Sequence, residues 1–359
     1  MSKEILIIMP IYNNKSLLKE ALSSLIYQSY KDFTICIIDD NSEEDLSSVI
    51  KNYKTDLDIV YIKNKEQIGP GQSRQKGLEY AYKKKYSYIL FMDSDDLFMP
   101  NAIKRLYYEI SSNDLDVVYS CIITEQKEPE RPDTYMDIFM GSTWLHGKIY
   151  RTKFLKANNI HFFPELIVHE DLAFNIITQS IPGMRIKTID DKLYYYRENF
   201  NSITHNPNNL YDKHKDSTTT HIEAIYRSVK YILDHKYNLL EDVVVAFLLT
   251  YNDYQLLLLR DKNMLVELNL LLDDILTSQE IRIAFTNFKI WEAILTEVKS
   301  FTLTGENCDE DVGWNYLRFY PQSFGQWLEA HGVQLQAIIP PGSVNRSYEL
   351  SSRISNLLF

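Results

Sequence analysis

The chain has 359 residues, enough for about two domains, each with a core of its own. Hydrophobic residues make up 45 % and charged residues 24 %, which excludes collagen-like and disordered classes. The net charge of −11 argues against a sequence-independent nucleic-acid binder, which needs a basic face. Cys36, Cys121 and Cys308 match no zinc spacing and read as a reduced, cytoplasmic chain. The apolar run before Pro10 is too short for a secretory signal. The best candidate for a membrane span, Val243–Leu259, is broken by Asn252, Asp253 and Gln255 and reads as a buried helix.

In chain order, Ile5–Met9 reads as a first strand that Pro10 ends. Lys15–Gln28 has helical spacing, Phe33–Ile38 is a strand, and Glu43–Asn52 is a helix capped by Ser42. Asp58–Ile62 is a strand, Gln72–Lys84 a helix and Ser87–Met92 a strand. Short apolar strands separated by helices predict an α/β fold with a mostly parallel sheet covered on both faces. Function in such sheets collects at the carboxyl ends of the strands. Asn101–Ile110 reads as a helix, Val117–Thr124 as a strand, and Glu125–Asp137, with Pro129 and Pro132, as a loop. Trp144–Tyr150 is a strand or turn, and Thr152–Asn158 and Asp171–Ser180 are helices. Arg185–Ile189 and Lys192–Tyr196 resemble a β-hairpin. Beyond Tyr211 the spacing is helical over Ser217–His235, Leu239–Arg260, Asn263–Thr277 and Gln279–Lys299, so a boundary is expected near residue 210.

Four polar clusters follow these strands. Asp93-Ser94-Asp95-Asp96 leaves the fourth strand, and an extended chain would put Asp93 and Asp95 on one side. Two converging carboxylates suit Mg²⁺ or Mn²⁺, which would neutralise a diphosphate leaving group; a helix cap or turn is the bland alternative. Pro10-Ile11-Tyr12-Asn13 follows the first strand, and Tyr12 offers a flat face to a base. Asp39-Asp40-Asn41-Ser42 follows the second, where a carboxylate can accept from a base N–H or a ribose hydroxyl. Gly69-Pro70-Gly71-Gln72-Ser73-Arg74 opens a helix, lacks the ending of a P-loop, and carries Arg74 within reach of a nucleotide.

Together these clusters resemble family-2 glycosyltransferases with the GT-A fold, in order and spacing over about residues 4–110. Ser73 and Gln75 stand where that family has Ala and Asn. The resemblance continues through His146-Gly147-Lys148-Ile149-Tyr150, His169-Glu170-Asp171, and Tyr195-Tyr196-Arg197 followed by Ser202-Ile203-Thr204-His205. It implies an inverting transfer from a nucleotide-sugar, by family habit a UDP-sugar. Asp171 would be the base and Glu170 a supporting or acceptor-contacting carboxylate. Pro10, Tyr12, Asn13, Asp39, Arg74, Asp93 and Ser94 would hold the nucleotide-sugar. Asp95, Asp93 and His205 would hold Mn²⁺ or Mg²⁺. Trp144, His146 and His169 would meet a glycan or lipid-linked acceptor. Residues 1–110 would then form the nucleotide-sugar half and 111–210 the acceptor half of a catalytic domain. Residues 211–359 would form a mostly helical region for acceptor binding, self-association or peripheral contact with the inner face of a membrane. Three other readings compete. They are a phage-type enzyme glycosylating a modified DNA base, a nucleotidyltransferase, and a non-catalytic nucleotide- or glycan-binding relative. Net acidity disfavours the first. The second would want a Gly-rich, Arg-containing loop after the first strand. The third would be expected to lack Asp95 or Asp171, and both are present.

Overall fold

A computed structural model describes residues 3–128, 131–139, 143–199, 217–248, 250 and 266–284. The chain divides into two compact units, Met1–Thr220 and His221–Phe359. The change of pattern expected near residue 210 lies outside the described residues.

The first unit is built on a nine-stranded sheet of order β3-β2-β1-β4-β8-β6-β9-β5, with β7 paired to β6. Its first half is β1 (Ile5–Ile11), β2 (Phe33–Asp39), β3 (Ile59–Lys63) and β4 (Tyr88–Phe91), all mutually parallel. β1, β2 and β4 are buried along their whole length, which is why they read as continuous apolar runs. Helices α1 (Lys15–Ile26), α2 (Ser47–Tyr53) and α3 (Pro70–Lys84) link them. α1 buries Leu18, Ala21, Leu22 and Leu25, one face at helical spacing.

The second half is mixed, where a mostly parallel sheet was expected. It holds β5 (Leu97–Phe98), β6 (Val117–Glu128), β7 (Arg131–Phe139), β8 (Lys148–Arg151) and β9 (Ile186–Tyr196). β8 runs antiparallel to both β4 and β6, β9 runs parallel to β6, and β5 pairs antiparallel with β9. Helices α4 (Ala102–Ser112), α5 (Thr152–Ala157) and α6 (Glu170–Gln179) complete the unit.

Four local expectations are corrected. β1 does not end at Pro10 but continues to Ile11, pairing Pro10 with Ile38 and Ile11 with Asp39. The Ile8 carbonyl faces β4, receiving Met92 N, and the Ile11 carbonyl faces β2, receiving Asp40 N. Pro10 therefore turns its nitrogen toward the β4 side, where that strand has already ended, and its missing N–H costs no ladder bond. Second, α2 starts at Ser47, not Glu43, because Glu43 N and Glu44 N donate to the Asn13 side chain and Ser42 Oγ accepts from Asn13 N. Third, the loop expected over 125–137 is largely a hairpin of β6 and β7. Pro132 lies beside its register irregularity on a strand paired only to β6 among the described residues. Fourth, the hairpin expected over 185–196 is one strand. Between Tyr119↔Thr188 and Cys121↔Lys192 it takes up extra residues as a bulge, and this is where the polar Asp190-Asp191 pair is accommodated. Asp191 then accepts from Arg105 of α4 at 3.1 Å.

The helix Ser217–Asp234, whose residues from His221 on belong to the second unit, buries Ile222, Ile225, Tyr226, Val229 and Ile232 at helical spacing. The helices Val266–Thr277 and Gln279–Ala284 follow. Among the described residues no helix is long and apolar enough to cross a membrane. Residues 249 and 251–259 of the apolar stretch in question lie outside them.

The close approach of α3 to the sheet depends on Gly77. A Cβ there would fall 2.4 Å from Ile8 Cγ2 and 3.2 Å from Ile38 Cδ1. Gly77→Ala should destabilise the first unit by about 1–3 kcal/mol, the scale of overpacking a core. Urea unfolding would measure it, and an unshifted midpoint would mean the helix–sheet spacing is soft.

Candidate active site

The carboxyl ends of the parallel strands carry three loops stitched together by buried carboxylates. Asp39 is fully buried; its Oδ1 accepts from Ser42 N at 2.7 Å and its Oδ2 from the Tyr61 hydroxyl, with Lys63 Nζ 3.7 Å away. Asp40, 2 % exposed, accepts from Asn64 Nδ2, Ile68 N and Gly69 N at 2.8–2.9 Å and from Ser73 Oγ at 3.2 Å. Asp40 thus fixes the entry to α3, a role the sequence reading left unassigned. Asn13 ties the first loop to the second, and Tyr12 beside it is 41 % exposed. Pro10 is buried within β1.

The Asp93–Asp96 segment is a turn rather than an extension, closed by Asp96 N donating to Asp93 O at 3.2 Å. Asp93 and Asp96 therefore converge, while Asp95 Oδ2 accepts from Asn199 Nδ2 at 2.8 Å. Asp96 is fully buried and accepts from the Tyr194 hydroxyl at 2.8 Å and from Arg197 N at 2.9 Å. Tyr194 also accepts from Asp93 N at 3.1 Å, so the end of β9 frames the turn. No repeat or spacing in the Leu193–Tyr196 run announces that role. Burial, reinforced by Asp95, pushes the Asp96 carboxyl well up. Burial also pushes up Asp95, helped by the charge of Asp93. Burial acts on Asp93 in the same sense, but Arg74 and then His146 outweigh it and hold Asp93 far below the usual carboxylate range.

His146 precedes the antiparallel β8, so it arrives at the same sheet edge as the end of β4. It is 6 % exposed and stacks on Tyr194 with ring centroids 5.0 Å apart. Its Nε2 lies 3.1 Å from Asp93 Oδ2, yet neither ring nitrogen makes a hydrogen bond of good geometry. One ligand atom each from Asp93, Asp96 and His146 lie within 4.8 Å of one another. The two carboxylates suit Mg²⁺ or Mn²⁺, and the imidazole beside them can complete the donor set. His146, expected among the acceptor contacts, stands against the carboxylates. Trp144 packs 5.0 Å from Tyr196 and 6.1 Å from His146, partly buried against the core. His205 lies outside the described residues.

On the opposite wall, His169 has a φ of +62° and hands the chain into α6, whose first turn is Glu170 and Asp171. Carboxylates are favoured there by the helix dipole. Glu170 is buried, whereas Asp171 is partly exposed. The Arg74 guanidinium sits between the two walls, its Nη1 donating to Glu170 Oε1 and its Nη2 to Asp93 Oδ1 at 2.6 Å. Burial opposes its charge, but Asp93, Glu170 and Asp171 together hold it protonated. Behind Asp171, Lys148 is buried with its Nζ 3.1 Å from Asn175 Oδ1 and 4.1 Å from the centroid of Tyr119. Burial lowers its pKa well below the ordinary value, opposed by Asp171. Asn175 also accepts from the Tyr150 hydroxyl at 2.8 Å and donates to Asp171 O at 2.9 Å. The Gly-Lys-x-Tyr segment therefore supports the start of α6 from below.

Residues 6–166 match the model of glycosyl transferase family 2. That match takes in all four polar clusters of the chain and the entry to β8. Among its relatives, the uncharacterised glycosyltransferase EpsJ of Bacillus subtilis (strain 168) is 26 % identical over 245 residues, 62 % of this chain and 67 % of EpsJ. The poly(ribitol-phosphate) β-N-acetylglucosaminyltransferase TarS of Staphylococcus aureus (strain Mu50) is 28 % identical over 223 residues, 57 % of this chain. The match spans only 38 % of TarS. Among solved structures, S. aureus TarS 1–349 in complex with UDP-GlcNAc matches with a TM-score of 0.58 and 19 % identity. The alignment covers 90 % of this chain and 92 % of that one. The first unit has the GT-A fold of family 2, as its motifs predict.

Burial, reinforced by Asp171 and opposed by Arg74, pushes the Glu170 carboxyl up to about 7. The folded chain then keeps a proton that the unfolded chain releases near its ordinary value of 4.5. The stability this group contributes is fully present below about pH 4.5 and is lost as pH rises toward 7. Glu170→Gln removes the titration. Its unfolding free energy should fall less steeply with rising pH across that window than that of the unaltered chain. Parallel urea-denaturation profiles would contradict this.

Proposed function

We propose that this chain is an inverting glycosyltransferase that moves a sugar from a UDP-sugar to an acceptor hydroxyl. The observation that carries the reading is the convergence, at one end of a GT-A sheet, of the Asp93–Asp96 turn and the Asp171 end of α6 on the two sides of Arg74. The family of residues 6–166 supports the reaction class, and the complex of TarS with UDP-GlcNAc supports the donor class.

In this reading the base of the nucleotide lies against Tyr12, between Asn13 and the Asp39 loop. Asp93, Ser94 and Asp95 face the diphosphate. The carboxylates of Asp93 and Asp96 with His146 offer a donor set for Mn²⁺ or Mg²⁺, and Asp95 and His205 are further candidates for the same ion. A bound divalent cation supplies charge neutralisation of the leaving diphosphate. Asp171, partly exposed at the start of α6, accepts the proton of the acceptor hydroxyl. That hydroxyl oxygen attacks the anomeric carbon from the face opposite the diphosphate, forming the new C–O bond as the old one breaks. One base suffices because the leaving group departs as a stabilised anion. Trp144, with Tyr196 beside it, and His169 line the acceptor side.

The acceptor class follows the relatives. TarS acts on poly(ribitol phosphate), which supports a cell-surface or teichoic-acid type of acceptor for this chain, assembled at the inner face of the membrane. Residues 211–359 are proposed to serve acceptor binding and self-association.

The test is nucleoside diphosphate release from a panel of UDP-sugars with Mn²⁺, with and without poly(ribitol phosphate). One donor should be turned over, and Asp171→Asn should reduce the rate by roughly 10²–10⁴-fold, the scale of a positioned base. A chain that binds no nucleotide and turns over no donor would end the proposal.

A further inference from the structure

We propose that Arg74 is a positioning residue rather than a nucleotide contact. In this role it sets the distance between the base-bearing helix and the strand that carries Asp93. The inference rests on the glycosyltransferase reading above and adds the device that holds its two halves in register.

Three observations carry it. Arg74 is 5 % exposed, and both terminal nitrogens are committed, one to Glu170 and one to Asp93. Its Nε is buried as well, so little of the guanidinium is open to a ligand. Gly71 lies three residues earlier on α3, hence on the same helix face. A Cβ at Gly71 would come 2.9 Å from Glu170 Cγ, 3.1 Å from Glu170 Cβ and 3.4 Å from Leu166 O. The Glu170 side chain thus crosses α3 through a gap that only a hydrogen atom leaves open, and ends on the fork of Arg74. Gly71 and Arg74 form one socket, and Glu170 is the arm that fills it.

The geometry explains why these residue types are needed. A guanidinium is a rigid planar fork that fixes two carboxylates at a set separation. An ammonium is a point charge on a flexible stem and fixes none. Glu170 is bonded directly to Asp171, and Asp93 opens the turn that leads to Asp95. One side chain therefore sets the spacing between the proton-accepting carboxylate and the group that faces the diphosphate. On this account Glu170 does not meet the acceptor; it locks the first turn of α6.

The test uses the full chain, Arg74→Lys and Gly71→Ala, with UDP affinity read by calorimetry and kcat read from UDP release at saturating donor. Both variants should keep UDP affinity within about threefold. Both should lose kcat by roughly 10²-fold, the cost of about 1 Å of misplacement between reacting groups. A nucleotide contact would give the opposite split. Arg74→Lys weakening UDP binding at least tenfold with kcat retained would overturn the inference, and so would wild-type kcat in Gly71→Ala. If Arg74→Lys fails to fold by thermal melting, Gly71→Ala decides, since it leaves every charge in place. Failure of the unaltered chain to turn over any donor is a separate result: it removes the glycosyltransferase reading, and this inference with it.

Discussion

A single buried guanidinium holds the two walls of the cleft together. Removing one partner from such a buried arrangement generally costs about 3–5 kcal/mol, because the other charges are left uncompensated. Arg74 meets that demand from both sides, with Asp93 at the end of β4 and Glu170 at the start of α6. The surrounding features follow from this geometry. Gly71 is small so that Glu170 can reach, and Asp40 anchors the loop that launches α3 so that Arg74 is aimed. Tyr194 and Arg197 steady the turn that presents Asp93.

The carboxylates near this cleft divide into two kinds of work. Asp39, Asp40 and Asp96 are nearly inaccessible and accept from backbone amides, hydroxyls and an asparagine. Asp39 and Asp40 organise loops, and Asp96 does so while also facing Asp93 and His146. Asp93, Asp95 and Asp171 keep some exposure. Sequence neighbours such as Asp95 and Asp96 therefore differ in what they can offer a ligand. The difference comes from which way a tight turn sends each side chain.

Much of this was legible in the sequence. The apolar runs of β1, β2 and β4 and the helical spacing of α1 and α3 place the parallel half of the sheet. The polar clusters after those strands mark the edge where a ligand belongs. What was not legible depended on long-range pairing. Pro10 reads as a strand end, yet only the early end of a neighbouring strand makes it harmless. The segment over 125–137 reads as a loop because two prolines and charged residues hide an edge hairpin. Asp190-Asp191 reads as a turn because nothing local says that β6 will tolerate a bulge. His146 could be seen, but its arrival beside Asp93 depends on β8 running against β4. The Arg74 fork was hidden for a similar reason, since its two acceptors lie 19 and 96 residues away.

The reversal of direction at β8 separates two kinds of change that a sequence can undergo. Loops that leave the parallel strands β1, β2 and β4 emerge on the cleft edge. Among the described residues, 143–147 lead into β8 at that edge, because β8 runs against β4. Lengthening or recolouring that entrance reshapes the wall beside Asp93 and Trp144 without disturbing the register of β4 with β8. Additions after Arg151 grow on the far edge of the sheet, away from the cleft. That entrance also carries His146 to Asp93, so its length is bounded by the contact it must deliver.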